Sequence, residues 1–321
     1  MKCNRRELAN CCRSRRKTKR EGAGRVCSRL KELSVTLQIG VHPSNLHLTL
    51  AQHWPGAFAI LDVRFISYAE GRDTGRQLAE GRIDVGGTGS TPPIIAQVAG
   101  LDVLYVAASA PRPANGAILV AKNSPIRNVK DLAGRKIALL DGSFHTYLLA
   151  RVLEAEGLTL KDVERIERAP APSRDALVAG KVDAWIAMAP HLDQAIADGG
   201  ARLLVPCGAT IPNRSVFWTL GRRNLAPQTI NAFVTELGRV GDAIAAEPAR
   251  AARILADLKL GGVDAAAWRK ALKGRDWSIV AADAAIIAEQ QDEADTLFRH
   301  ADIPHRIELK TTMRSTLATA P

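Results

Sequence analysis

Covalent staples, membrane spans and catalytic signatures are all missing from this sequence. Of its cysteines, Cys3, Cys11, Cys12 and Cys27 fall within the first 33 residues and only Cys207 lies beyond them. No disulfide framework can therefore hold the body, and the tail spacings fit no zinc template. A lone body cysteine reads as buried filler. No stretch approaches the roughly 18 consecutive apolar residues of a membrane-crossing helix. None of the seven histidines falls in a metal-ligand spacing such as HExxH. GxSxG elbows and P-loops are absent, and Gly87-Thr88-Gly89 lacks the third glycine of a dinucleotide fingerprint. The expectation is a protein without catalytic residues, metal or cofactor.

What is present is a chain of 321 residues, 46% hydrophobic, long enough for about two domains. Its net charge of +11 suggests nucleic acid only until it is located, because residues 1–33 carry +9 of it. A basic tail without apolar periodicity is expected to be solvated, and a nucleic-acid partner is not expected. The tail has the positive region of a secretory signal but not the apolar run of about 7–15 residues that follows one, so as written it is no export signal.

From Val35 to Val41 the β-branched pattern predicts a strand, after which Ser44 caps a helix from Leu46. Leu61–Ser67 reads as a second strand, Gly75–Glu80 as a helix and Ile83–Val85 as a buried strand. Such alternation implies an α/β protein with a parallel sheet. Leu78-Ala79-Glu80-Gly81-Arg82-Ile83-Asp84-Val85 returns as Leu177-Val178-Ala179-Gly180-Lys181-Val182-Asp183-Ala184, helix end, glycine stop, basic residue and strand alike. Two related lobes follow. Lobe one is expected over residues 34–119 and 217–321, lobe two over 120–216, with crossovers at Val120–Lys122 and before Phe217-Trp218-Thr219-Leu220. Pro227–Leu260 and Asp283–His300 read as amphipathic helices. Two crossovers make a hinge, and a cleft between hinged lobes is a natural ligand trap.

Three strand-to-helix junctions concentrate hydroxyl or small residues: Ser44-Asn45, Thr88-Gly89-Ser90-Thr91 and Ser143. Pro92 suits a first helical position and Thr91 its cap. Unpaired N–H groups and the dipole of a helix N-terminus favour an anion there, although ordinary N-capping uses the same residue types. Micromolar binding requires about 8 kcal/mol and one helix terminus gives only about 0.3–1, so a guanidinium must contribute. Arg214, beside Asn213, is the candidate. Phe144 and Trp185 are candidates for an alkyl slot, with simple core packing as the other reading, and His145 and His191 are placed near the cleft as hydrogen-bond donors.

Gly87-Thr88-Gly89-Ser90-Thr91-Pro92-Pro93-Ile94-Ile95-Ala96-Gln97, with Tyr105-Val106-Ala107-Ala108, Val129-Lys130-Asp131-Leu132-Ala133-Gly134-Arg135-Lys136 and Val182-Asp183-Ala184-Trp185, resembles the aliphatic sulfonate, taurine and nitrate family of ABC-transporter solute-binding proteins. The resemblance spans roughly residues 35–310. It implies a type II periplasmic-binding-protein fold, each lobe built on a mostly parallel sheet, periplasmic placement, a monomer, a membrane permease as partner and a small oxyanion, sulfonate preferred, as solute. It also implies solute contacts at Ser44, Thr88, Ser90, Thr91, Ser143 and around Asn213. Where the family continues into a Trp-Asp-Pro-like segment, this chain has Ala187-Met188-Ala189-Pro190. The same fold hosts sulfinate desulfinases and thiamine-pyrimidine synthases, which makes an enzyme the alternative. Here the first strand-helix loop is His42-Pro43-Ser44-Asn45, without the cysteine that a desulfinase-like nucleophile requires.

Overall fold

The computed structural model describes residues 36–309. The basic segment 1–33 and its four cysteines lie outside them. The chain opens as β1 (Leu37–Val41), α1 (Leu46–His53), β2 (Val63–Ser67), α2 (Thr74–Ala79), β3 (Val85–Thr88), α3 (Thr91–Val98) and β4 (Val103–Ser109). It continues through β5 (Gly116–Ala121), β6 (Lys136–Leu139), α4 (Phe144–Glu154), β7 (Glu164–Glu167), α5 (Pro170–Val178), β8 (Ala184–Met188), α6 (His191–Ala197) and β9 (Ala201–Pro206). It closes with β10 (Val216–Leu220), α7 (Pro227–Ala246), α8 (Pro248–Asp257), α9 (Ala265–Leu272), β11 (Ile279–Ala281) and α10 (Ala284–Arg299).

Two sheets result, ordered β11-β4-β10-β3-β1-β2 and β7-β6-β8-β5-β9. The strands β2, β1 and β3 run parallel, as do β7, β6 and β8. Into each sheet a reversed strand is inserted, β10 between β3 and β4 and β5 between β8 and β9, and β11 adds a second reversed strand at the edge of the first sheet. Each inserted strand is the first one laid down after the chain has crossed between lobes. Apart from β11 the two lobes thus share one topology, and β3 corresponds to β8. That is where the eight-residue echo falls: Gly81 and Gly180 end the preceding helices at φ +73° and +66°, a left-handed turn that a side chain resists.

The crossovers differ from the expected ones. Gly116–Ala121 was placed at the end of lobe one, but it is a central strand of the second sheet, so the first crossing occupies residues 110–115. A wholly apolar run fits the middle of either sheet, and pattern alone does not choose between them. The return crossing occupies residues 207–215. The long amphipathic run from Pro227 is likewise two helices, because Pro248 supplies no N–H to continue α7.

Lobe one is closed by α7, whose buried Ile230, Phe233, Leu237, Val240 and Ile244 recur at helical spacing and join Ile39, Leu48 and Phe217 in one core. Truncating Phe233 to Ala there would cost about 3–5 kcal/mol. The second sheet has its own core, in which Trp185 packs with Leu119, Leu177 and Leu192 on one face and Phe144 with Leu149, Ile186 and Cys207 on the other. Both aromatics proposed for an alkyl slot are therefore core residues. A third link joins the lobes: α10 packs on α3 and on α4, Tyr147 Oη donates to Asp292 Oδ2 at 2.8 Å and Arg299 pairs with Glu154 at 2.7 Å.

Candidate binding cleft

The chain's own groups take up much of the three hydroxyl-rich junctions, although Asn45 Nδ2 at the first is enclosed without a partner. At α1 the N-cap is Asn45, not Ser44: its Oδ1 accepts from Leu48 N at 3.1 Å. At α4 Ser143 Oγ accepts from His145 N at 3.2 Å and donates to Leu140 O at 2.6 Å. At α3 the N-cap is Ser90, Thr91 being the first helical residue, and the hydroxyls of both donate to the buried Glu293 carboxylate of α10. Burial outweighs those two bonds and pushes Glu293 up to about 7. Thr88 is spent internally, accepting from Trp218 Nε1 at 3.0 Å and donating to Gly89 O at 2.7 Å.

Arg214 is spent as well. Its guanidinium holds Glu289 in a bidentate pair at 2.6 and 2.9 Å, and Nη1 donates to Ser109 O at 2.9 Å. With Ser90, Asn213, Glu289 and Glu293 it borders a space of only about 10 Å³. His145 accepts from Leu140 N through Nδ1 at 3.1 Å, and burial lowers it to about 3, so it is neutral with an enclosed, unpartnered Nε2. Of the residues singled out from the sequence, Asn45, Thr88, Thr91, Ser143, Phe144, His145 and Trp185 border neither this space nor the larger one described next.

The larger cavity, about 190 Å³, lies between the lobes. The β1–α1 loop contributes Pro43, Ser44 and Leu46, the segment after α8 contributes Leu260, Gly261 and Trp268 of α9, and the opposing lobe contributes Pro170 and Met188-Ala189-Pro190-His191. The segment in which the sequence departs from the family pattern thus forms one wall. Two arginines complete the lining, Arg112 on the first crossover and Arg275 in the loop after α9.

Neither arginine has a carboxylate partner among the described residues. Arg112 is 7% exposed; its Nε donates to Asn213 O at 2.7 Å and its Nη2 to Asn213 Oδ1 at 3.1 Å, which fastens the two crossovers together. Burial pulls it down to about 10. Arg275 stacks its guanidinium 4.1 Å from the Trp277 ring, and its Nε and Nη2 are enclosed without a partner. Burial and the neighbouring Arg112 charge hold its pKa well below the usual guanidinium range. His47 feels the same field: burial, then Arg275, lowers it to about 3. Enclosing a cation without a counter-charge is costly, so the buried Arg112 and the half-buried Arg275 together indicate an anion that arrives from outside. The sequence points to Arg214, whereas the arginines of this cavity, without a carboxylate partner among the described residues, are Arg112 and Arg275. Arg112 stood between Pro111 and Pro113 in a stiff crossing, and that was the one available signal.

The family model described as NMT1/THI5 like matches residues 59–206. The aliphatic sulfonates-binding protein of Escherichia coli (strain K12) is 32% identical over 85% of this chain and 84% of its own length. This chain belongs to the aliphatic sulfonate-binding proteins. These family members are solute-binding components of ABC importers, and the two-lobed architecture agrees: the periplasmic aliphatic sulphonate binding protein from Escherichia coli superimposes with a TM-score of 0.77 at 29% identity, over 85% of this chain and 95% of that one. The alkanesulfonate-binding protein from Xanthomonas axonopodis pv. citri bound to MOPS gives 0.75 at 30% identity, over 85% and 96%. As a member of that family, the chain has a cleft where the fold leads one to look, but the charged guanidiniums lining it come from the crossover and from the loop after α9.

Proposed function

We propose that the protein captures a small organic sulfonate in its inter-lobe cleft and, as a periplasmic monomer, delivers it to the membrane permease of an ABC importer. One observation carries this reading: Arg112 and Arg275 face a single cavity whose other walls are largely apolar, and among the described residues no acid lines it. A sulfonate accepts charge-assisted bonds from a guanidinium, contributing about 1.5–3 kcal/mol, while Met188, Pro190, Leu260 and Trp268 cover its carbon chain. The cavity is smaller than the roughly 300–1,000 Å³ of drug-sized sites, which suits a compact solute.

The role is binding without turnover. Cys207 is buried in the lobe-two core and its thiol is pushed up to about 12 by burial, the opposite of an activated nucleophile. The test is thermal unfolding of the full chain with a series of alkanesulfonates, nitrate, sulfate and a carboxylate. A saturable rise in Tm with sulfonates is expected, because a ligand of the native state alone stabilises it. No shift with any sulfonate, or an equal shift with nitrate or sulfate, would overturn the reading.

A further inference from the structure

The charges around the cavity distinguish one kind of sulfonate from another. Arg112 spends Nε and Nη2 on Asn213 and keeps Nη1; Arg275 has no hydrogen-bond partner at Nε or Nη2. Among the described residues no carboxylate lines the space. Asp276, next in sequence to Arg275, is exposed and accepts from Ser278 N at 2.8 Å. His191, the remaining titratable group on the wall, is pressed toward its neutral form by burial and by Arg174. A solute bearing one negative charge would balance one guanidinium and leave the other without a counter-charge. A solute bearing an ammonium group would add a third cation to a site with no acid to receive it. The two arginines also enter from different elements, the first crossover and the loop after α9, with Met188, Pro190 and Trp268 among the walls of the space they share.

We propose that the cleft selects dianionic organosulfonates, in which a sulfonate and a carboxylate are joined by a short apolar spacer, over simple alkanesulfonates and over aminosulfonates. This rests on the sulfonate reading of the same site and narrows it. Each acid of the solute takes one guanidinium, and both cations are balanced at once. Solutes with a terminal methyl or ammonium in place of the carboxylate leave one guanidinium unmatched.

Three nearly isosteric probes share a two-carbon spacer: 3-sulfopropanoate, propane-1-sulfonate and taurine. Calorimetric titration of the full chain at pH 7.5 and constant ionic strength is expected to rank them in that order, with 3-sulfopropanoate about 10- to 100-fold tighter than propane-1-sulfonate. In Arg275→Gln the gap should close to about threefold or less, and in Arg275→Lys, which keeps a point charge but not the fork, part of it should return. Propane-1-sulfonate binding as tightly as 3-sulfopropanoate would overturn the dianion proposal and leave the sulfonate reading intact. An undiminished gap in Arg275→Gln would overturn it too. Failure of all three probes, together with every alkanesulfonate in the unfolding series, would remove both. Should the variants not fold, the ranking on the native chain decides alone.

Discussion

Arg214 and Arg275 both stand beside a space at the junction of the lobes, but in opposite surroundings. Around Arg214 the chain supplies the counter-charge: Glu289 holds the guanidinium, Glu293 takes the hydroxyls of Ser90 and Thr91, and about 10 Å³ is left open. Around Arg275 it supplies a second cation, apolar walls and about 190 Å³ of room. The motif-rich region near Ser90 balances its charges internally and leaves the neutral Asn213 Nδ2 and Gln290 Oε1 unpartnered, whereas the region with few sequence marks carries an unmet demand for negative charge. A binding site in this fold is recognised less by which polar residues it contains than by which of them lack a partner.

Removing Arg112 should disturb this contrast most, because it serves both the cleft and the hinge. Arg112→Met strips one cation from the cavity and leaves Asn213 O and Oδ1 without their donors. Sulfonate affinity should fall by about 100-fold or more, and chemical unfolding should register a loss of about 2–3 kcal/mol. Arg275→Met separates the two functions. Affinity should fall about 10- to 100-fold, while stability holds or rises by about 1 kcal/mol, since an unpaired buried cation is replaced by an apolar chain of similar length. If Arg275→Met destabilised the protein as much as Arg112→Met, the claim that this charge awaits a ligand would fail.

Glu293 tests the closed side of the comparison through pH. Its folded pKa is raised from 4.5 to about 7, so between those values the native state holds more proton than the unfolded chain, and this group's contribution to stability declines as pH rises through that window. The buried His42, lowered to about 4, and His47 and His145, each to about 3, act in the other direction: neutral when native, they lose stability as pH falls below 6.5. Comparing Glu293→Gln with the native protein cancels the histidines. The variant's relative stability should improve by about 2 kcal/mol between pH 5 and 8, measured by urea unfolding at each pH; a flat difference would mean that burial does not penalise this carboxylate.

Local rules made part of this molecule legible and long-range pairing hid the rest. The lobe repeat was readable because a left-handed helix stop calls for glycine, hence Gly81 and Gly180, and because short strands follow both. The sheet that owns Gly116–Ala121 was not readable, since a fully apolar strand fits the middle of either. The helix starts were found, but what satisfies them was not: Thr91 meets Glu293 across 202 positions and Arg214 meets Glu289 across 75. No periodicity spans such separations. For the same reason Arg275, in a loop that resembles any charged turn, could not be told from a solvated arginine until its lack of a partner was seen.

The smallest effect gives the sharpest comparison. Glu289→Gln removes the charge that balances Arg214 and gives the small space a bare arginine like those of the cleft. Glu289 is about one-third exposed, so solvent screens the loss and the expected destabilisation is only about 1 kcal/mol. The informative reading is the ligand titration. If an unpaired guanidinium alone sufficed to make a site, a second sulfonate should bind to this variant. The expectation is one site with affinity unchanged within about threefold, because Arg214 has charge to offer but only about 10 Å³ beside it. A second binding event would show that volume is dispensable, and that the cleft is chosen by charge alone.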